Sequence, residues 1–316
     1  MKEEEVGLSP REIALLRCLR DGEQPRREVA RALGMSQPEL TRLVKSLESN
    51  GIVVVRRNGM SSSLSFSELK HASVLRRILN EYSHMRLEEV LSLASLRVIA
   101  SLAIRPASTR EEIQLSSGVS PRTIHTVLSR FKAVGIIRVR RRGVYKLSDR
   151  FAPFAEFARE LMSFSNQKKA LAFSSDSVVI WERGGEFVIR TKAGKESEDF
   201  RKTAFSAFDS YGIPLVQEWH YYYHPHGSWQ RTPDEVLLQS LLIRPLGSRE
   251  VKALRMLWGR KTLWRKIDQL IAKAGRYGVT AELRRLIEGF KGHEKNNTPI
   301  VSRSGNIGQK LRSGDR

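Results

Sequence analysis

Arg122, Thr123, His125, Thr126, Ser129 and Arg130 interleave with Ile124, Val127, Leu128 and Phe131 at the period of a helix. The two sets therefore fall on opposite faces. The apolar set is what a helix packs, and the other is a row of hydrogen-bond donors. A guanidinium forks onto phosphate or onto the N7/O6 edge of guanine, while hydroxyls and imidazole reach base edges or phosphates. A few residues further on, Arg138, Arg140, Arg141 and Arg142 crowd one short segment. Such a cluster suits a phosphate backbone or a narrow minor groove. The chemistry these types offer is recognition of a polyanion.

The elements that must position these residues occur twice. The stretch from Gly34 to Gly59 recurs without a gap as Gly118 to Gly143, at an offset of 84. Gly34, Ser36, Gly51, Ile52, Val55, Arg56, Arg57 and Gly59 meet identical residues in the second copy, and Leu40, Leu43, Val44 and Leu47 meet Ile124, Val127, Leu128 and Phe131. In the first copy the outward positions are Gln37, Glu39, Thr41, Arg42, Lys45 and Ser46. Thr41, Arg42, Lys45, Arg56 and Arg57 are its candidate contacts.

Each copy reads as helix, helix, turn, helix, glycine stop and hairpin. Ser9 before Pro10 caps a first helix with Ile13, Leu15, Leu16 and Leu19 inward, and Gly22 ends it. A second helix covers Arg26 to Leu33. Ser36 and Glu39 form a capping box for a third, which Gly51 stops. Ile52 to Arg57, an Asn58-Gly59 turn and Met60 to Phe66 make a hairpin. In the second copy the first helix lies within Leu93 to Leu102, Ser108 and Glu111 cap the second, Ser120-Pro121 opens the third, and Arg142-Gly143 turns the hairpin. Over 118–150 there are nine Lys or Arg and one acid, against four and two over 34–66, so the second copy is expected to bind more strongly. The same helical units also serve as protein-docking modules, and exposed arginines also occur as a solvated face.

This order is the plan of a winged helix-turn-helix. Residues 1–150 resemble tandem modules of the type found in MarR-like regulators of archaea and bacteria, on the helix order, the Gly-x-Ser turns and the glycine-to-hairpin wing. Such regulators typically carry one module per chain and dimerise, whereas this chain has two. Further on, Thr203 to Phe208, Tyr211 to Pro214 and Pro233 to Leu238 resemble the C-terminal domains of AbiEi-type antitoxin-like regulators. That resemblance implies a protein-interaction or DNA-assisting domain without catalysis.

Composition agrees with a nucleic-acid partner. Among 316 residues, Lys and Arg outnumber Asp and Glu 55 to 34, a formal charge of +21. Such an excess favours polyanions by counterion release and long-range steering. Cys18, the only cysteine, rules out an internal disulfide and a cysteine-based zinc site. Met1-Lys2-Glu3-Glu4-Glu5 is too acidic for a secretory signal, and no apolar run approaches the roughly 20 residues of a membrane span. A cytoplasmic protein without membrane contact is expected.

Between the copies, Leu69 to Tyr82 reads as a helix. Phe151, Phe154, Phe157, Leu161 and Phe164 form an aromatic stripe on another, followed by a polar linker from Ser163 to Lys169. Strands are expected at Leu171 to Phe173, Val178 to Glu182, Phe187 to Thr191 and Trp219 to Tyr223, with a helix from Phe200 to Tyr211. Four helices follow: Pro233 to Ile243, Arg249 to Trp258, Leu263 to Ala274 and Ala281 to Phe290. His220, His224 and His226 share one face of a strand and are candidate zinc ligands, though Pro225 interrupts them and no carboxylate completes the set. Trp219 and the neighbouring tyrosines are candidate base-stacking residues. No phosphate-cradling loop, zinc helix or nucleophile elbow occurs, and neither Ser174-Ser175-Asp176 nor Gly247-Ser248 has the paired aspartates of a nucleotidyltransferase.

The expectation is an α+β chain. It has winged helix-turn-helix domains at 1–68 and 86–150, a linker helix at 69–85, an aromatic helix and linker at 151–169, an α+β domain with a helical end at 170–291, and a disordered basic tail at 292–316. The expected function is sequence-specific regulation of transcription on double-stranded DNA, with no cofactor and no catalysis. The C-terminal domain would dimerise or bind a partner protein. The rival readings are an antitoxin-like regulator that holds a toxin and a replication-initiation or chromatin-associated protein.

Overall fold

In the computed structural model, residues 7–296 are described, apart from 60, 105–106, 141–142, 196, 226–230 and 260–266. Helix α1 (Pro10–Cys18) begins where Ser9 and Glu12 cap each other, Ser9 N–H donating to the Glu12 carboxylate at 2.8 Å. The other Glu12 oxygen accepts from Ser46 Oγ at 2.7 Å, tying α1 to the third helix of the copy. Strand β1 (Gln24–Pro25) and α2 (Arg26–Leu33) follow, and Gly34 in the left-handed region turns the chain into α3 (Gln37–Ser49). Leu40, Leu43, Val44 and Leu47 are buried, as their spacing predicts. Ser36 accepts from Glu39 N–H, but the Glu39 carboxylate turns to Arg11 instead of closing the expected box.

Gly51, at φ +64°, ends this run. Ile52 N–H donates to Leu47 O at 2.9 Å, and Ser67 Oγ donates to Gly51 O. β2 (Val53–Asn58) and β3 (Ser61–Phe66) pair antiparallel, with β1 on the far edge of β3. Asn58 pairs with Ser61, so it is the last residue of β2 and not part of the turn as expected, while Met60 lies outside the described residues.

After α4 (Lys70–Glu81) and the short α5 (Leu87–Val90), the second copy contains α6 (Leu93–Ile104), α7 (Arg110–Ser117) and α8 (Pro121–Ala133). A hairpin of β4 (Ile137–Arg140) and β5 (Val144–Leu147) follows. The cap of α7 is Thr109 with Glu112, not Ser108 with Glu111. Ser108 instead bridges Tyr145 on β5, as Gln24 pairs with Leu64 in the first copy. Gly135 (φ +73°), the Ile136 N–H to Phe131 O bond (2.8 Å) and the Ser148 Oγ to Gly135 O bond (2.9 Å) repeat the closure at Gly51. The bonded serine lies 16 residues beyond the glycine in the first copy and 13 in the second, so the second hairpin is three residues shorter.

A turn of 3-10 helix, Asp149–Phe151, leads into α9 (Ala152–Phe173). This helix runs straight through the linker expected at 163–169 and the strand expected at Leu171–Phe173. Asn166 explains the continuity. Its side chain is buried and donates to Glu182 Oε2 (3.0 Å) and Gly184 O (2.8 Å), so a polar residue faces inward with its hydrogen bonds met. Ala170 and Phe173 then pack into a small aromatic core. That core belongs to the antiparallel sheet β6 (Val178–Arg183), β7 (Glu186–Thr191), β9 (His220–His224) and β8 (Arg201–Lys202), in that spatial order. The helix expected over Phe200 to Tyr211 is instead β8 followed by a 3-10 segment, Ala204–Tyr211. Pairing of Arg201 and Lys202 with β9 draws the start of that segment into the sheet. Asp176 accepts from Ser174, Thr191 and Lys192 N–H, and these bonds hold its carboxyl well below the usual range.

The chain divides into two compact units at Thr232/Pro233. The sheet thus belongs with the repeat, and the segment expected as one domain, 170–291, is shared between the units. The second unit contains α10 (Pro233–Ser240), α11 (Ser248–Trp258), α12 (Ile267–Tyr277) and α13 (Thr280–Asn296). Its buried polar contacts include Gln239 Nε2 to Tyr277 Oη at 3.0 Å and Tyr277 Oη to Glu235, and Trp258 packs on Phe290. Helix α13 continues to Asn296, past the expected start of the tail, and 297–316 lie outside the described residues. Among the described residues no helix is long and apolar enough to cross a membrane.

A Cβ on Gly51 would sit 2.7 Å from both Leu69 Cδ1 and Phe164 Cζ, whereas one on Gly135 would meet the flexible tip of Arg150 at 3.1 Å. Gly51→Ala is expected to cost roughly 2–4 kcal/mol and Gly135→Ala about 1–2 kcal/mol, as measured by urea denaturation. His71 supplies a second prediction. It is buried against Phe164, and its Nε2–H donates to Asn50 O at 2.8 Å. Burial pushes its pKa below 6.5, opposed by backbone hydrogen bonds at Asn50 and Gly51 and by the Glu160 charge. The unfolded chain then takes up this proton before the folded one does. Stability should be flat in this respect above about pH 7 and fall as pH drops through the unfolded value, with a smaller fall in His71→Gln.

Candidate nucleic-acid interface

In the first copy, Arg42 and Lys45 are exposed on α3, while Thr41 is half-buried. The Thr41 hydroxyl donates to Gln37 O at 2.6 Å and accepts from Arg26, the first residue of α2. On the hairpin Arg56 and Arg57 are exposed, and Arg56 pairs with Glu23 at 3.0 Å. Such an exposed pair is worth little, so phosphate can displace it.

In the second copy, Arg122, His125, Thr126 and Ser129 are exposed along α8. Thr123 is half-buried and its hydroxyl is shared with Ser120 at 2.9 Å, while Thr126 Oγ1 donates to Arg122 O at 3.2 Å. Arg130 departs from the expectation. Its Nε lies 3.2 Å from Glu89, at the end of α5, so it is turned back onto the protein and only half exposed. Arg138 and Arg140 are exposed on β4, and Arg141 and Arg142 lie outside the described residues. At the start of α7, hydrogen bonds from its own N–H and from Thr109 hold the Glu111 carboxyl below its usual range.

Two residues that touch the candidate contacts do not stand out in the sequence, Arg26 and Arg110. Arg110 Nη2 lies 3.4 Å from His125 Nδ1, at the position matching the Arg26–Thr41 contact. The signal was present, since the repeat offset equates Arg26 with Arg110 and Thr41 with His125. In each copy an arginine at the start of the second helix thus steadies a residue on the outer face of the third.

The other candidates are not assembled as a site. His224 stacks on Phe187 at 4.7 Å, His220 lies beside Gly194, and His226 is outside the described residues. Among the described residues no group of three or more His, Cys, Asp or Glu is placed to hold a metal ion. Tyr221, Tyr222 and Tyr223 are buried, and Arg190 and Lys192 cover the Trp219 ring at 4.6 and 5.1 Å, so this strand offers no open stacking platform.

Three helices with an antiparallel hairpin behind the third are the arrangement of a winged helix-turn-helix, and the first copy exposes Arg42 and Lys45 on its third helix, the element that enters the major groove in that class. Residues 11–57, from α1 into β2, match the IclR helix-turn-helix domain. The match names the IclR type where the sequence resembles MarR-like regulators. No curated protein matches the chain. The chain is on this ground a DNA-binding transcription regulator of the helix-turn-helix class.

Arg42→Ala combined with Lys45→Ala should weaken duplex binding and lower the slope of log K against log salt by about 1.8, at roughly 0.9 per phosphate contact. Fluorescence anisotropy across a salt series measures it.

Proposed function

We propose that the second copy is also a winged helix, and that the two copies together read one stretch of duplex as a sequence-specific regulator. The observation that carries this reading is the repetition of the whole closure, at an offset of 84 up to the hairpin turn and of 81 beyond it. The positive-φ glycine, the two hydrogen bonds that follow it, the outer-edge bridge and the hairpin pairing all recur. The second copy also bears the denser basic row, with Arg122 on α8 and Arg138 and Arg140 on β4 exposed. Phosphate neutralisation dominates affinity, so this copy supplies the larger electrostatic share, while α8 enters the major groove and the hairpin lies along the backbone. The chain acts by binding alone, without catalysis. MarR-like regulators gain their second module by dimerising, and here one chain supplies both.

Selection of duplexes from a random pool, followed by footprinting, tests the reading. A motif of two elements about 10 base pairs apart is expected, from the spacing of adjacent groove faces. A single element that survives disruption of α8 would overturn it. Arg138→Gln with Arg140→Gln should reduce the salt slope by about 1.8. An unchanged slope would remove the hairpin from the interface.

A further inference from the structure

A cavity of about 80 Å³ opens between α6, α7, α9 and the turn joining β6 to β7, wholly inside the first unit. Its apolar wall includes Leu96, Ala100, Ala158 and Leu161, all buried. Arg97 and Lys169 border it, both half-buried, and neither forms an ion pair among the described residues. Among the described residues no Asp or Glu lines the cavity. The carboxylate near it, Glu182, accepts from Asn166. With both cationic heads at its border and no carboxylate in its lining among the described residues, the mouth of the cavity is electropositive beside an apolar wall.

Size narrows the occupant. A cavity near 150 Å³ holds benzene, so about half that volume suits a short branched alkyl chain rather than a ring system. The charge calls for an anion at the mouth. We propose that this cavity binds a small monocarboxylate, its branched alkyl chain against Leu96, Ala100 and Leu161 and its carboxylate between Arg97 and Lys169. The cavity also touches the contact between the second copy's first two helices. Ser101 on α6 and Ser116 on α7 both line it and hydrogen-bond to each other. Ser117, the last residue of α7, lines it too and is followed by the Gly118 turn into α8. An occupant thus bears on the helix that seats α8, a coupling that rests on the DNA-binding role proposed for that copy.

Titration calorimetry on the full chain with 3-methylbutanoate is the test, with 3-methylbutan-1-ol and acetate as the uncharged and chainless controls. Saturable binding near 1 mM is expected, weaker by about tenfold or more for either control. Lys169→Gln with Arg97→Gln, two half-buried positions, should weaken it by at least about tenfold while circular dichroism stays unchanged. No saturable heat up to about 20 mM, equal binding of the alcohol, or equal binding by the double variant would overturn the site. In parallel, anisotropy of a labelled duplex should show a change of about threefold or more in Kd with 3-methylbutanoate present. An unchanged duplex Kd beside positive calorimetry overturns the coupling and leaves the site standing, whereas absence of duplex binding by the ligand-free chain speaks against the DNA-binding reading alone.

Discussion

The stripe of Phe154, Phe157 and Leu161 on α9 must be covered, and covering it fixes the relation of everything before it. These side chains are buried, and fully burying an apolar side chain of this size is worth about 1.5–3 kcal/mol. They share one continuous core with Leu15 and Leu47 of the first copy and Ile99 and Phe131 of the second. The same helix packs along α4 and α6, holds the β6–β7 turn through Asn166, and ends with Phe173 in the sheet. The repeat is therefore no pair of beads on a string. Its copies and the sheet are joined through a single helix.

Within that frame the copies keep backbone closure and vary side chains. Gly51 and Gly135 stop the third helices in the left-handed region, and a serine hydroxyl returns to each glycine carbonyl. Around this constant skeleton the contacts differ. Thr41 becomes His125, Glu39 becomes Thr123, and the Arg56–Glu23 pair of the first hairpin has Arg140 at the matching place in the second. Loss of the acid Glu39 and gain of Arg122 make the outer face of α8 more basic than that of α3. In the shorter second hairpin Arg140 ends β4, opposite Val144.

The helix-turn-helix stretches within residues 9–135 were legible in sequence because several of their helices have a local start or stop: Ser9 before Pro10, Ser36 and Ser120 as caps, glycines at 34, 51, 118 and 135. Local signals misled where two neighbouring candidates competed, as with Ser108 and Thr109. Only the bridge from Ser108 to Tyr145, a contact distant in sequence, decides which one caps α7. The stretch after 160 was less legible for the same reason. Nothing local marks Asn166 as an inward residue, because its partners lie at 182 and 184. Likewise Arg201 and Lys202 form a strand only because β9 is there to pair with them. Among the candidate contacts, the exposed row of α8 followed from periodicity, whereas the turning of Arg130 to Glu89 depended on a helix whose position the sequence does not announce.

The meeting of Gly51 with Phe164 has a meaning for how the chain is made. Phe164, which covers the end of the first copy's third helix, is synthesised long after that helix has left the ribosome. At 5–20 residues per second the interval is on the order of ten seconds. Until then the part of the first copy's apolar core that α9 covers has no cover from that helix. Nascent chains in this state are exposed to premature association. The acidic and basic pairs along the seam, Lys70 with Glu160 and Arg77 with Glu156, stand where they can guide α9 into register once it arrives.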